Sequence, residues 1–186
     1  VNLGTRRKAK AIAAGYFFTC ALLDNGSVKC WGRNDYGQLG RGDRFDRGDE
    51  PDEMGNELDP VDLGSGRKAK AIAAGNDHAC AILDNGALKC WGVNSSYSGG
   101  ALGLGNNRNR GDDADEMGDY LPAIAVGRSR RVLAVDLGAG TTCALLDDYS
   151  LRCWGYGEDG ELGNGGTANI DRKSTRLNSS HITISY

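Results

Sequence analysis

Two apolar runs around a short polar turn form the clearest hydrophobic pattern in the chain. Residues 17–31 read FFTCALLDNGSVKCW, with Asp24-Asn25-Gly26 at the centre. Asn and Gly both tolerate positive φ, so Asn-Gly between apolar runs is a strong signal for a β-hairpin. A three-residue loop there would place Leu23 opposite Ser27 and Cys20 opposite Cys30. The pattern therefore predicts an antiparallel hairpin.

The hairpin recurs twice with small changes. CALLDNGSVKCWG at 20–32 returns as CAILDNGALKCWG at 80–92 and as CALLDDYSLRCWG at 143–155. Self-similarity over such distances is typical of solenoids and propellers, in which each repeat is one supersecondary unit. We place the repeats at 1–60, 61–123 and 124–170, the last of them partial.

Each repeat also holds further strand-like segments. KAIAAG precedes the hairpin at 10–15 and 70–75, and PVDLG at 60–64 is a candidate fourth strand. Gly or Pro bounds these segments, as is usual for strands. No long apolar face with a helical period appears. The prediction is an all-β fold built from four-stranded antiparallel blades.

The phrase CWGRNDYGQLGRGD at 30–43, followed by VDLG, AIAAG and LKCWG, resembles the repeat of the regulator of chromosome condensation family. The resemblance implies a seven-bladed β-propeller, of which this chain is a fragment of about three blades. A blade needs neighbours on both faces. The chain begins inside a repeat without an initiator Met, so we expect upstream residues to be missing. Blade-core roles are expected for Trp31, Trp91, Trp154, Leu39 and Leu162.

The later repeats depart from this pattern in places. The second reads WGVNSSYSGGALGLG and carries three extra residues, and the third has Gly157 where the first has Asn34. Thr141 stands where the second repeat has His78. Loops between blades tolerate such changes, so they weaken local site assignments more than the fold prediction.

The six cysteines form three pairs with the same spacing around each hairpin turn: Cys20 and Cys30, Cys80 and Cys90, Cys143 and Cys153. Directly opposed residues in an antiparallel ladder lie within the range that a disulfide accepts, so we predict three disulfides. Buried free thiols are one alternative. Zinc is another, although no further Cys or His recurs to complete four ligands. Disulfides would indicate an extracellular or cell-surface protein, and reduced thiols a nuclear or cytoplasmic one.

The last sixteen residues, 171–186, abandon the repeat. DRKSTRLNSSHITISY contains no Gly and resembles the translation of a high-throughput sequencing adapter. We interpret this segment as a non-native tail that takes no part in the propeller. A polar native tail, disordered because of its composition, is the alternative.

Charge argues against a nucleic-acid partner. The chain has 22 Lys and Arg against 25 Asp and Glu, net −3. Without the tail, which holds three basic residues and one acidic residue, 19 and 24 remain, net −5. Nucleic-acid-binding domains usually present a basic patch. The clusters RRKAK, GRKAK and GRSRR lie at the same place in each repeat, before the strand that precedes the hairpin. They are either solvated charges or, if the blades align them, a single stripe of positive charge. No segment approaches the roughly 20 apolar residues of a membrane span.

Catalytic chemistry has little support. No Ser-His-Asp, Cys-His or paired-carboxylate arrangement recurs, and His78 is the single histidine of the repeats. We therefore predict that the protein is not an enzyme and needs no cofactor. Three Arg-Gly-Asp tripeptides suggest adhesion, but turns rich in Gly and Asp produce this tripeptide readily.

The functional prediction is a non-catalytic module that binds a protein partner of unknown identity. The variable loops after each CWG, at 33–59, 93–121 and 156–169, carry the length differences and most polar residues. The family resemblance implies two alternatives. One is a guanine nucleotide exchange factor for a small GTPase of the Ran type, and the other is the repeat domain of a larger protein such as a ubiquitin ligase.

Overall fold

The computed structural model of the chain describes residues 1–95 and 99–171, which form three antiparallel sheets of three strands each. The first sheet contains β1 (Ala9–Ala14), β2 (Phe18–Leu23) and β3 (Val28–Gly32). The second contains β4 (Ala69–Ala74), β5 (His78–Leu83) and β6 (Leu88–Gly92). The third contains β7 (Val132–Leu137), β8 (Thr141–Leu146) and β9 (Leu151–Gly155). A 3-10 turn covers Gly118–Tyr120.

The hairpin turn forms as its sequence predicts. The amide of Leu23 donates to the carbonyl of Ser27 at 2.8 Å, and the amide of Gly26 donates to Leu23 at 3.0 Å. Gly26 has φ of 85°, a conformation that Gly adopts without steric cost. Cys20 pairs directly with Cys30 across β2 and β3, which confirms the predicted register.

The predicted fourth strand is not formed among the described residues. At segment 60–64 the amide of Val61 donates to the carbonyl of Val28 at 2.8 Å, so the segment lies beside β3 at this point. Pro60 lacks an amide proton, and the Asp62 carboxylate accepts from the Gly64 amide at 2.9 Å, which turns the chain away. Each sheet therefore has three strands, and the first two sheets also have an extended flanking segment, held in the second by the Ile124 amide donating to the Leu88 carbonyl at 2.8 Å.

Adjacent sheets pack through alternating faces of their middle strands. Cys20 and Leu22 of β2 belong to a buried cluster with Ala79 and Ala81 of β5, from the next sheet. A second cluster repeats this arrangement between the second and third sheets. Side chains alternate between faces along a strand, so β2 presents one set of apolar residues to the next sheet and another to the opposite side. The core thus consists of seams between consecutive sheets.

The innermost strands end in glycines that allow close backbone contact between sheets. A Cβ atom on Gly15 would lie 2.7 Å from the Gly75 carbonyl oxygen, and one on Gly75 would lie 2.3 Å from that of Gly138. The amide of Tyr16 donates to the Asn76 carbonyl at 2.9 Å, which links the first two sheets at the same place. The AIAAG phrase therefore supplies small residues where the inner strands converge.

The third repeat extends to Ile170. Gly155 and Ile170 form an isolated antiparallel bridge that matches the Gly32–Arg47 and Gly92–Arg110 bridges of the earlier repeats. Asp171, the first residue of the predicted tail, accepts a hydrogen bond from the Gly105 amide at 2.6 Å. The rest of that tail, residues 172–186, lies outside the described residues.

Replacing Gly75 with Ala tests the close contact between the inner strands. The new methyl group would also lie 2.5 Å from Cε1 of His78, so we expect a loss of about 1–3 kcal/mol in the free energy of unfolding. Gly138→Ala is the matched control, because its nearest contact would be an ordinary 3.7 Å. Equal destabilisation of the two variants in urea unfolding would contradict this account.

Candidate interaction surface

The variable loops and the turns between the first two strands of each sheet share one end of the molecule, here called the loop end. It comprises the turns at 15–17, 75–77 and 138–140 and the start of each loop. Three equivalent hydrogen bonds join the two parts: Arg33 donates to Phe17 at 2.9 Å, Val93 to Asp77 at 2.8 Å and Tyr156 to Gly140 at 3.0 Å. The backbone therefore holds the loop starts in equivalent positions.

A buried asparagine organises the first two loops from within. The side-chain oxygen of Asn34 accepts from the Leu39 amide at 2.9 Å, and its amide group donates to the Asp43 carbonyl at 2.8 Å. In the second repeat, Asn94 accepts from the Leu102 amide at 2.9 Å. Both asparagines are fully buried, so their satisfied polar groups fix the shape of each loop. In the sequence this position is distinguished only by its replacement with Gly157 in the third repeat, which does not indicate its structural role.

The third loop replaces this asparagine with Gly157 and is held differently. Its amide donates to the Asn169 side chain at 2.9 Å. A Cβ atom on Gly157 would lie 2.6 Å from Cδ1 of Leu162, so the leucine occupies the space of the missing side chain. Leu162 is buried, as is its equivalent Leu39.

Two of the three tryptophans fasten the loop of one repeat to the sheet of the next. The indole Nε1 of Trp91 donates to the Gln38 carbonyl at 3.0 Å, and Trp154 donates to Ala101 at 2.9 Å. Both indoles are fully buried. Trp31 is only half-buried, and no loop of an earlier repeat lies against it within residues 1–95 and 99–171.

A polar network crosses the seam between the second and third sheets. The Thr142 hydroxyl donates to the Ala101 carbonyl at 2.8 Å, and Nε2 of His78 lies 3.0 Å from the same hydroxyl oxygen. The hydroxyl proton is committed to Ala101, so Nε2 of His78 is the donor to Thr142. Complete burial lowers the pKa of His78 to about 4, which keeps the imidazole neutral at pH 7.

The first repeat places an aromatic patch at the loop end, here defined as Tyr16, Phe17, Arg33 and Tyr36. The three rings are 67%, 54% and 40% exposed, which is unusual for large apolar groups gathered in one place. The Tyr16 and Phe17 ring centres lie 4.3 Å apart. The Arg33 guanidinium lies 5.5 Å from the Phe17 centre and 5.9 Å from that of Tyr36, within cation–π range.

Carboxylates border the aromatic patch. Asp35 accepts a hydrogen bond from Nε of Arg33, and this pairing raises the pKa of the guanidinium. Burial raises the pKa of Asp77, although the nearby Arg33 opposes this effect. One Asp77 carboxylate oxygen is buried and has no hydrogen-bond partner. The aromatic patch and its border together therefore present exposed rings, a cation and two carboxylates.

Two buried lysines anchor the far ends of the loops. The Lys29 ammonium donates to the Gly55 carbonyl at 2.6 Å, and Lys89 donates to Gly118 at 2.7 Å and to Leu63 at 3.0 Å. Burial lowers the pKa of both lysines. Gly55 and Gly118 end the two DEMG phrases, so the repeated phrase marks the point where each loop returns to its sheet.

The cysteine pairs lie within the hairpins, with Cα atoms 4.1 Å apart in all three. Their sulfur atoms are at bonding distance, 2.05 Å, 2.11 Å and 2.08 Å in chain order. The first two pairs are buried in the seams, whereas Cys143 and Cys153 are half-buried on the outer face of the third sheet. Oxidation of the pairs in the native protein remains a prediction.

The Arg-Gly-Asp tripeptides are held in ion pairs. Asp112 is buried and binds Arg44 at 2.7 Å, and Arg47 binds Asp43 at 2.8 Å. Arg41 binds Asp59 at 2.9 Å. These pairings engage Arg41, Asp43, Arg47 and Asp112, which are four of the groups that an adhesion receptor would need.

Two open depressions in the described part of the chain lie near the ends of the first strands of the sheets. One, of about 320 Å³, lies where the inner strands converge, and Tyr16 is the single ionisable side chain in its lining. The other, of about 360 Å³, lies beside β7 and β8 of the third sheet, and its lining includes Asp136, Tyr156 and Glu161. No cluster of potential metal ligands occurs in residues 1–95 and 99–171. Within these same ranges, no helix has the length and apolarity to cross a bilayer.

Comparison with known proteins identifies the repeats. Residues 9–38, 69–98 and 25–82 match sequence profiles of the Regulator of chromosome condensation (RCC1) repeat. The human E3 ubiquitin-protein ligase HERC2 is 30% identical over 92% of this chain, which spans 3% of that protein. The Arabidopsis thaliana protein RUG3, described as a mitochondrial RCC1 domain-containing protein, is 28% identical over 90% of this chain and matches along 34% of its own length.

Solved structures agree on the fold. Yeast RCC1 (Prp20) bound to Kap60 superposes with a TM-score of 0.63 at 19% identity, covering 93% of this chain and 38% of that one. Prp20p from Saccharomyces cerevisiae, studied for its binding to Gsp1p and histones, also gives 0.63, at 20% identity, covering 88% and 37%. The molecule is thus a fragment of a β-propeller. Its repeats belong to the regulator of chromosome condensation family.

The polar seam predicts an acid-sensitive stability. The pKa of His78 is about 4 in the folded protein, below its ordinary 6.5. The neutral imidazole therefore makes its full contribution to the free energy of unfolding above pH 6.5, and this contribution is lost as the pH falls towards 4. We expect a loss of about 3 kcal/mol over this window, measured by urea unfolding. The control is His78→Phe with Thr142→Ala, which installs the residues of the first seam, Phe18 and Ala79. A wild-type pH profile identical to that of this variant would contradict the account.

The cysteine pairs predict a measurable covalent state. Protein made in an oxidising host should gain two hydrogens per pair on reduction, seen as a shift in intact mass. Cys80→Ser with Cys90→Ser should cost on the order of 2–3 kcal/mol of stability when the other pairs are oxidised, because the closed loop is short. An unchanged mass after reduction would show that the pairs are free thiols.

Proposed function

We propose that the chain is part of a non-catalytic protein-interaction module whose contact surface is the loop end. The observation that carries this proposal is the aromatic patch. Tyr and Arg are enriched among the residues that dominate binding energy at protein interfaces, especially where rigid rings are already in place. Tyr16, Phe17 and Arg33 are positioned through backbone hydrogen bonds, so little ordering is required when a partner binds.

The fold itself gives no reason for the patch. At the positions of Tyr16, Phe17 and Arg33 the second repeat has Asn76, Asp77 and Val93, with the same backbone hydrogen bond from Val93 to Asp77. A seam can therefore form without exposed aromatic rings. Exposed rings that the fold does not require support a role in binding.

The non-catalytic character of the module rests on the chemistry at the same end. His78 and Thr142 are buried in a structural network, and the depression beside the patch is lined mainly by Ala and Gly. Acid–base catalysis requires a titratable group that can reach a substrate. The depression beside the patch has Tyr16 as its single titratable side chain, which favours contact over turnover there.

A second candidate function is the repeat domain of a larger ubiquitin ligase. The similarity to HERC2, a protein far longer than this chain, supports this candidate. The two candidates are compatible, because a repeat domain within a ligase would also act by binding. A guanine nucleotide exchange factor for a small GTPase of the Ran type is the other alternative, and it too would act through contact.

For the compartment, we infer an extracellular or cell-surface location from the three cysteine pairs, because disulfides persist in oxidising surroundings. Reduced cysteines in the native protein would instead favour the nucleus or cytoplasm, where an exchange factor for a nuclear GTPase would act. The mass measurement described above distinguishes these locations.

Replacing the patch with residues from the second repeat tests the proposed binding surface. In the variant Tyr16→Asn, Phe17→Asp and Arg33→Val, the fold should persist because the second repeat already holds these residues. We expect proteins captured by the 186-residue chain to fall by at least about tenfold in quantitative mass spectrometry, the loss typical of hot-spot residues.

The matched control is Tyr149→Asn, which removes an aromatic ring that is 82% exposed in a hairpin turn at the opposite end. This variant should capture the same proteins as the wild type. Retention of every captured protein by the patch variant, with its thermal unfolding unchanged, would refute the proposed surface. Turnover of a substrate that one substitution abolishes would refute the non-catalytic character.

A further inference from the structure

At the end of the sheets opposite the loops, basic side chains from all three repeats gather in what is here called the basic band. All ten of its members are exposed: Arg6, Arg7, Lys8, Lys10, Arg67, Lys68, Lys70, Arg128, Arg130 and Arg131. They precede or begin the first strand of each sheet. The hairpin turns at 24–26, 84–86 and 147–149 lie at the same end.

Equivalent backbone contacts position one basic residue per repeat. The amide of Asp24 donates to the Lys8 carbonyl at 2.9 Å, and that of Asp84 donates to Lys68 at 2.8 Å. The third repeat continues the series, with Asp147 donating to the Arg131 carbonyl at 3.0 Å. Lys8, Lys68 and Arg131 therefore occupy the same place relative to the hairpin turn of their own repeat.

Contacts between repeats make the band continuous. The amide of Ala69 donates to the Gly26 carbonyl at 2.8 Å, and Val132 donates to Gly86 at 2.9 Å. A Cβ atom on Gly26 would lie 2.9 Å from Cβ of Lys68, and one on Gly86 would lie 2.8 Å from Cβ of Arg131. The bases of the Lys68 and Arg131 side chains thus pack on the turn of the preceding sheet.

The carboxylates in this region neutralise only part of the charge. Each turn aspartate binds one arginine: Arg7 to Asp24 at 3.3 Å, Arg67 to Asp84 at 3.2 Å and Arg130 to Asp147 at 3.5 Å. Arg130 also binds Asp148 at 3.1 Å. Within residues 1–95 and 99–171, no carboxylate lies within ion-pair distance of Lys8, Lys68 or Arg131. Ten basic groups, the four paired carboxylates and Asp119, whose charge interacts with that of Arg67, leave the band at +5 on a chain of net −3.

We propose that the basic band is a second interaction surface, which binds an acidic segment of a partner protein. Complementary charge promotes encounter and fixes the orientation of a partner. The partner class follows from the rest of the molecule. Nucleic acids and anionic membranes present long-range charge that an acidic chain with a pI near 5.4 repels, whereas a short segment rich in Asp and Glu contacts only the band.

The band is separate from the loop end, so it goes beyond the function proposed above and can be tested independently. Binding of a short, fluorescently labelled Glu-rich peptide to the 186-residue chain is measured by anisotropy at low salt and at increasing salt. We expect binding that weakens as salt is added, because exposed charges are screened. Lys68→Gln with Arg131→Gln should weaken it about tenfold.

Two further variants also change the net charge by two units, one by removing positive charges outside the band and the other by removing negative charges within it. Arg44→Gln with Arg108→Gln removes two exposed positive charges outside the basic band and the aromatic patch and should leave peptide binding unchanged. Asp24→Asn with Asp84→Asn removes two carboxylates from the band and should tighten binding. Thermal unfolding of each variant establishes that it is folded.

Three outcomes would overturn the proposal. The first is that the wild type fails to bind the peptide at low salt. The second is that the variant with Lys68→Gln and Arg131→Gln binds the peptide as well as the wild type does. The third outcome is tighter binding of a DNA duplex or of anionic vesicles than of the peptide, which would assign the band to a different class of partner.

Discussion

The seam between consecutive sheets is the contact on which the rest of the structure depends. Each middle strand alternates its side chains, so that Cys20 and Leu22 face the next sheet, where Ala79 and Ala81 receive them. A single sheet of three short strands has too little apolar area to be stable alone, but stacked sheets share their cores. The indole of Trp91 adds a buried hydrogen bond to Gln38, which couples the first loop to the second sheet, and Trp154 couples the second loop to the third sheet in the same way.

The two seams are built from different chemistry at the same positions. The first uses Phe18 and Ala79, and the second uses His78 and Thr142 with a carbonyl that also accepts from Trp154. A satisfied polar network gives a well-defined geometry, but it becomes costly when one member acquires a charge. Repeats with the same backbone therefore differ in their response to acid.

The two ends of the sheets differ in character. The loop end has aromatic rings and a few carboxylates around a depression with little titratable chemistry, and the opposite end has the basic band. Both arise from positions that the seams leave unconstrained, because strand residues are committed to packing while turns and loops are not. A propeller can in this way present two unrelated binding surfaces.

The sequence by itself determined the hairpins, their register and the repeat, because Asn25-Gly26 and the strict alternation of apolar residues are local signals. It also indicated the basic clusters and the buried Leu39. The tertiary structure decided which positions meet across a seam: that His78 meets Thr142, that Trp31 stays half-buried, and that the segment at 60–64 pairs too little to form a strand. The first two outcomes depend on neighbouring sheets, and contacts between distant segments leave no periodic signal in the chain. The third has a local cause in Pro60 and the Asp62 turn, which outweighs the strand-like pattern of the segment.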